Sequence, residues 1–229
     1  MKNIICIIVA LVCANICADA QLMRAKELEK YAVEKYGDDW TEAAENLAKE
    51  LTLDKNQSLT YVQVIPCEGK TKEQLYVILN YWFTASFNDA NSVIKLNDKE
   101  LGTIIANGYV ADIAVHVGGL NSYRVNISPV IKVDIKDNKV RVTYSIQAYD
   151  IDKNAGGGIM GAMGGNRPTK VYEKWTLDSC YPFVPKDGHR AKKTSSKALV
   201  MTHAYSNVIM DKIQNAVQNG LSGNEGDDW

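Results

Sequence analysis

Apolar positions along this chain follow three rhythms, and each predicts a different kind of element. Residues 4–17 are almost unbroken apolar. Residues 22–51 instead recur at helical spacing: Leu28, Ala32 and Tyr36 share one face before Gly37, and Asp39 with Glu42 opens a second helix carrying Ala43, Leu47, Ala48 and Leu51. Residues 59–65 read as a strand closed by Pro66. Thr71-Lys72-Glu73-Gln74 is a capping box that starts a helix with Leu75, Ile78, Leu79, Trp82, Phe83 and Phe87 on one side. Beyond it the period shortens to two. Residues 93–96 and 101–117 flank the polar turn Asn97-Asp98-Lys99-Glu100, with Gly108 marking a bulge. Residues 123–135 and 140–149 form a second hairpin around Lys136-Asp137-Asn138-Lys139. In its last arm Val140, Val142, Tyr144, Ile146 and Ala148 alternate with Arg141, Thr143, Ser145 and Gln147, which predicts one buried and one wetter face. Pro129 puts its strand at an edge or a bulge. A Gly-rich loop covers 151–169, a further strand 170–177, and a long helix 195–220 carries Met201, Tyr205, Val208, Ile209, Ala216 and Val217 before a polar tail at 221–229.

The order is a helix pair (21–55), then an α+β domain (58–183), then a C-terminal helix packed on it. Such an order predicts an antiparallel sheet with helices on one face. The unbroken first run has a different meaning. Lys2 precedes it, its length of about 14 residues is short of the roughly 20 a bilayer needs, and Ala18-Asp19-Ala20 supplies small residues before Gln21. Residues 1–20 therefore read as a secretory signal cleaved between Ala20 and Gln21, sending the chain to the periplasm or outside the cell. No later segment has the length and hydropathy of a transmembrane helix.

Lys+Arg 26 against Asp+Glu 27 gives a net charge of −1, which argues against nucleic acid as a partner. Of five cysteines, Cys6, Cys13 and Cys17 leave with the signal. Cys67 follows the first strand and Cys180 the last, so in an oxidising compartment a disulfide between them is the expectation if those strand ends adjoin; the other reading is two buried thiols.

Several motifs resemble chemistry without completing it. Glu68-Gly69-Lys70-Thr71 sits between strand and helix, yet Val64 stands where a phosphate loop needs glycine. Gly156, Gly158 and Gly161 match a dinucleotide fingerprint in letters, with no surrounding βαβ unit. Asp150, Asp152 and Asn154 begin like a calcium loop, but Ala155 and Gly161 fill its glycine and glutamate positions. His116, His189 and His203 have no metal-ligand spacing. No catalytic residue, metal ligand or cofactor site is therefore assigned. Ile159, Met160 and Met163 in the Gly-rich loop are assigned to a partner surface, together with the helix pair. The basic run Lys186, Arg190, Lys192, Lys193 and Lys197 is either a solvated loop or a contact for an anionic envelope component.

Residues 61–151 resemble a family of exported Bacteroidetes proteins, the domain of unknown function numbered 4468, with a TBP-like fold. The resemblance rests on the strand ending at Ile65-Pro66, on Gly69-Lys70-Thr71-Lys72-Glu73-Gln74-Leu75-Tyr76, on Tyr81-Trp82-Phe83, on the stretch from Ile94 to Ile105, and on the alternating strand 140–149. Tyr181-Pro182-Phe183 before the long helix is also similar. It implies an α+β fold on the secretory route and brings no catalytic residues. A TBP-like fold does not itself imply DNA binding. The resulting expectation is a non-enzymatic envelope protein that binds or scaffolds a partner. The alternatives are a small-ligand binder for lipid or glycan, with Trp82, Phe83 and Tyr144 lining a cleft, or a hydrolase.

Overall fold

The computed structural model describes residues 25–87, 93–118, 121–155, 169–186, 188 and 191–220. The sequence-assigned cleavage site at Ala20 and Gln21, the loop residues Ile159, Met160 and Met163, and the tail 221–229 lie outside them. The helix pair is α1 (Ala25–Tyr36) and α2 (Trp40–Leu47). Asp39 starts α2 by accepting bonds from the Thr41 and Glu42 amides at 2.9 and 3.1 Å. Helix α3 (Lys72–Ser86) opens on the complete Thr71/Gln74 capping box and buries Leu75, Leu79, Trp82 and Phe83. Helix α4 (Lys192–Asn219) is buried almost all round, from Ser195 to Val217, because it lies on the sheets and is flanked by the other three helices.

The described residues form nine strands, in order β1 (Leu59–Pro66), β2 (Ile94–Asp98), β3 (Thr103–Asn107), β4 (Val110–Val117), β5 (Asn121–Ile127), β6 (Val130–Lys136), β7 (Lys139–Ile146), β8 (Ala148–Ala155) and β9 (Thr169–Thr176). They make two antiparallel sheets, ordered β1-β7-β6-β3-β2 and β4-β5-β8-β9. The fold is α+β, as the order of elements predicts.

The long arms read from the sequence each divide between the two sheets. The 101–117 arm breaks at Gly108-Tyr109 into β3 and β4, the 123–135 arm at Ser128-Pro129 into β5 and β6, and the last arm at Gln147 into β7 and β8. The first two breaks meet: the Gly108 amide donates to the Pro129 carbonyl at 2.8 Å, and a Cβ on Gly108 would lie 3.0 Å from the Pro129 ring. Proline supplies no amide and glycine no side chain, so the arms bend together there. Two boundaries also move. Residues 151–155 belong to β8 rather than to the Gly-rich loop, and α4 begins at Lys192 rather than at residue 195.

Cys67 and Cys180 are separate, buried thiols in this structure, the second of the two readings of the sequence. Cys67 follows Pro66, whose partner is Lys139 at the start of β7. Cys180 follows β9, whose last residue Thr176 pairs with Ala148, beyond the other end of β7. The eight-residue strand β7 separates them, about 25 Å at 3.3 Å per residue, against the roughly 7 Å limit for a disulfide. Both are buried thiols: Cys180 Sγ donates to the Thr176 carbonyl at 3.2 Å, and Cys67 Sγ to that of Ile65 at 3.5 Å. Burial raises the Cys67 pKa.

Candidate functional site

The four helices among the described residues pack against one another and against the sheets, and strand alternation then sorts the residues of each strand between a buried face and an open one. In the first sheet the covered face holds Leu59, Ile65, Ile104, Ile131, Val133, Ile135, Val140, Val142, Tyr144 and Ile146, all buried. The open face is built in rows by the register. One row runs Val64, Arg141, Asp134, Thr103 and Asp98; the next runs Val62, Thr143, Lys132, Ile105 and Leu96; Pro66, Lys139 and Lys136 make a third at the β6–β7 turn.

Asp134 is the centre of this face. It takes two bonds from Arg141, at 3.1 Å from Nε and 2.7 Å from Nη2, one from Lys132 at 2.9 Å, and one from the Thr103 hydroxyl at 3.2 Å. Partial burial pushes its pKa up, but the bonds from Arg141 and Lys132 outweigh that and hold it below the ordinary carboxylate value. One carboxylate thus organises two cations, while Lys136 and Lys139 add two more beside it. Asp134, Arg141, Lys136, Lys139 and Val64 line a hollow of about 220 Å³. Val62 and Val64 are 60% and 59% exposed on the same face. Such a surface suits a negatively charged group carried on a partly apolar body.

A larger hollow, about 530 Å³, runs along α3 between Gly69, Lys70, Glu73, Gln74, Val77 and Ile78. Two of its polar groups are already committed to the fold. Lys70 Nζ donates to the Gln218 carbonyl at 3.0 Å, neutralising the C-terminal end of α4, and Gln74 bonds the Thr71 amide. This is the role of the Glu68-Gly69-Lys70-Thr71 segment, a turn rather than a phosphate loop.

The remaining sequence-singled residues fall as follows. Lys192 binds Glu45 at 2.9 Å and lies over the Tyr181 ring; Lys197 binds Glu29 at 2.6 Å and lies over Trp40. That part of the basic run ties the helix pair to α4. Asp150 and Asp152 sit in β8 at strand spacing, Asp150 with Lys174 at 3.5 Å and Ser128 at 2.6 Å, so they form no calcium loop. His116 stacks on Tyr123 at 4.7 Å. His203 lies between Tyr36 and Tyr61, with Nδ1 3.0 Å from the Tyr61 hydroxyl; burial, then Lys35, lowers its pKa to about 4. Trp82, Phe83 and Tyr144 are buried and fill the core instead of lining a cleft. Among the described residues no group of three His, Cys, Asp or Glu side chains could hold a metal ion, and no helix is long and apolar enough to cross a membrane.

The residues of the open face were half legible. Alternation in 140–149 marks Arg141 and Thr143 as the wetter side, but only the pairing of β1, β6 and β7 brings Val64, Arg141, Asp134 and Lys139 together.

Residues 61–149 match the family model described as a domain of unknown function (DUF4468) with TBP-like fold. Two solved structures are similar to this chain. One is a TBP-like protein from Parabacteroides distasonis, 16% identical over 72% of this chain and 96% of its own, with a TM-score of 0.49. The other is a DUF4468 family protein from Bacteroides ovatus, 12% identical over 71% of this chain and 90% of its own, with a TM-score of 0.41. No curated protein matches the chain.

Proposed function

We propose that this protein is a non-enzymatic binding module, exported by residues 1–20, that engages an anionic component of the cell envelope through the open face of its first sheet. The observation that carries this reading is the cluster of Lys132, Lys136, Lys139 and Arg141 around the carboxylate of Asp134, beside the exposed Val62 and Val64, on the face of the sheet opposite its buried residues. Binding through such a surface is steered by charge and weakened by salt. The basic run that ends in α4 contributes little to it, since Lys192 and Lys197 are held by Glu45 and Glu29.

Soluble polyglutamate, as an acidic-chain probe, tests the surface. The protein binds it, the affinity falls as salt rises, and the Lys136→Glu/Lys139→Glu variant binds roughly tenfold or more weakly at low salt. Equal binding by the variant and the unaltered protein overturns the assignment of the face. The mass of the exported protein tests the route, since cleavage after Ala20 leaves Gln21 as the first residue.

A further inference from the structure

The second sheet also has an open face. In β5 and β8 its buried side holds Tyr123, Val125, Ile127, Tyr149 and Ile151. The residues between them stand on the other side, in rows set by the register: Arg124, Asp152 and Tyr172 in one, Asn126, Asp150 and Lys174 in the next. Lys170 lies on the same face of β9. Asp112 reaches this face through the irregularity in β4, where its amide donates to Asn126 Oδ1 at 2.8 Å and its carboxylate accepts from Arg124 at 2.6 Å. Tyr109 enters beside it, one residue before β4.

Charge on this face balances, with Asp112, Asp150 and Asp152 against Arg124, Lys170 and Lys174. Asp150 accepts from the Ser128 hydroxyl at 2.6 Å and pairs with Lys174 at 3.5 Å. The Asp152 carboxylate has no bond or ion pair among the described residues. Two tyrosines flank these groups, Tyr172 at 72% exposure and Tyr109 at 53%. Burial, then the charges of Asp152, Asp150 and Asp112, raise the Tyr109 pKa, as expected for a phenol standing among those carboxylates. Asp150, Asp152, Tyr172 and Lys174 line, with Ile151 and Glu173, a hollow of about 320 Å³, which is the size of a small-ligand site.

We propose that this face is a saccharide site, in which the Tyr172 ring takes the C–H face of a sugar, Asp152, Asp150 and Lys174 bond its hydroxyls, and Tyr109 lies beside a neighbouring sugar ring. The ligand class follows from the balance of charge. An anion meets as much repulsion here as attraction, unlike on the basic face of the first sheet. A cation meets carboxylates of which two are already paired, with Arg124 and with Lys174. An uncharged polyol is penalised by neither sign. Each of its hydroxyls both donates and accepts, which a face of interspersed carboxylates and cations requires. Its ring adds a patch of C–H groups that suits an exposed aromatic body with a polar tip. A hollow open to solvent holds such a ligand weakly, with a Kd on the order of millimolar, and without dependence on salt. The site lies on a different sheet from the anion-binding face and does not rest on that reading.

Heteronuclear NMR titration of isotope-labelled protein, expressed from its full-length coding sequence, is the test. The probes are maltotriose, cellotriose and triacetylchitotriose. At millimolar concentration at least one of them moves the amides of residues 150–152 and 172–174, and added salt does not weaken the effect. Tyr172→Ala weakens this binding roughly tenfold or more, and Asp152→Ala weakens it as well. Tyr81→Ala, which removes a comparably exposed tyrosine from α3, leaves it in place. Lys136→Glu/Lys139→Glu also leaves it in place, which separates this proposal from the binding function above. Silence with all three sugars overturns the proposal, as does binding indifferent to Tyr172→Ala. Trilysine bound at the same amides more tightly than any of the sugars also overturns it, since the face would then be a cation site. Where Tyr172→Ala fails to fold, the shifts in the unaltered protein decide. Amides of residues 150–152 and 172–174 move and those of 62–64 and 139–141 do not; no difference between the two sheets overturns it.

Discussion

His203 shows how one side chain couples burial to pH. Its ring packs between Tyr36, 5.4 Å away, and Tyr61, 5.5 Å away, with Nδ1 on the Tyr61 hydroxyl. Burial disfavours the imidazolium, and the Lys35 ammonium adds repulsion, so the folded pKa falls from 6.5 to about 4. The unfolded chain therefore holds the extra proton between pH 6.5 and about 4, and stability drops as pH falls through that window. A shift of this size corresponds to about 3 kcal/mol at full burial; solvent reaches part of the ring, so about 1–2 kcal/mol is expected. Urea unfolding of the unaltered protein and of His203→Gln, from pH 7.5 to 4.5, isolates the contribution. The stability difference between them shrinks by about 1–2 kcal/mol on acidification. Parallel curves contradict it. The sequence places His203 in a helix, but nothing local announces the pairing with Tyr61, which lies 142 positions away.

Helices are the elements that the sequence makes plain, and the passage of a strand from one sheet to the other is what its pattern leaves out. The capping box at Thr71, the Asp39 cap and the helical stripes all specify structure within four residues of themselves. The breaks between the two sheets do not. Buried positions run Tyr123, Val125 and Ile127 in β5 and Ile131, Val133 and Ile135 in β6, so the period of two keeps its phase across Ser128-Pro129. Gln147 alone shifts that phase, since buried positions are even-numbered up to Ile146 and odd-numbered from Tyr149, whereas Gly108 and Pro129 mark the other two breaks by residue type and not by pattern. Turns sit between these extremes. Gly102, in the β2–β3 turn, has a φ of +67°, and a Cβ there would lie 2.7 Å from both the Ile135 carbonyl oxygen and Lys72 Cε. The lysine can swing away, but the β6 backbone cannot, and Gly102 also accepts the Ile135 amide at 2.7 Å. Gly102→Ala is therefore expected to cost about 1–3 kcal/mol, combining the left-handed backbone with the contact. Thermal unfolding measures it. A variant as stable as the parent refutes the strain at this turn.

At the scale of the molecule, the cysteines and the open face teach the same lesson. Both depend on which strand ends adjoin, and sequence periodicity fixes faces without fixing neighbours. Topology supplies what is missing: it separates Cys67 from Cys180 by the length of β7, and it aligns Val64, Arg141 and Asp134 in one row. Topology also makes the two sheets interdependent. Three arms pass from one sheet to the other, and a single buried cluster extends from Leu28 in α1 through Tyr144 to Trp175 in β9 and Val217 in α4. Unfolding either sheet alone would expose the covered face of the other along α4. The molecule is therefore expected to unfold in one cooperative step. Trp82 in α3 reports on the first sheet and Trp175 on the second. Two variants, each keeping one of these tryptophans with the others changed to Phe, are unfolded in urea. Within each variant, the midpoint by fluorescence coincides with the midpoint by far-ultraviolet circular dichroism, although Trp→Phe replacement can move both together. Midpoints that separate within either variant would mean that the sheets unfold independently, and that the bend at Gly108 and Pro129 is a hinge between two bodies and not a fold within one.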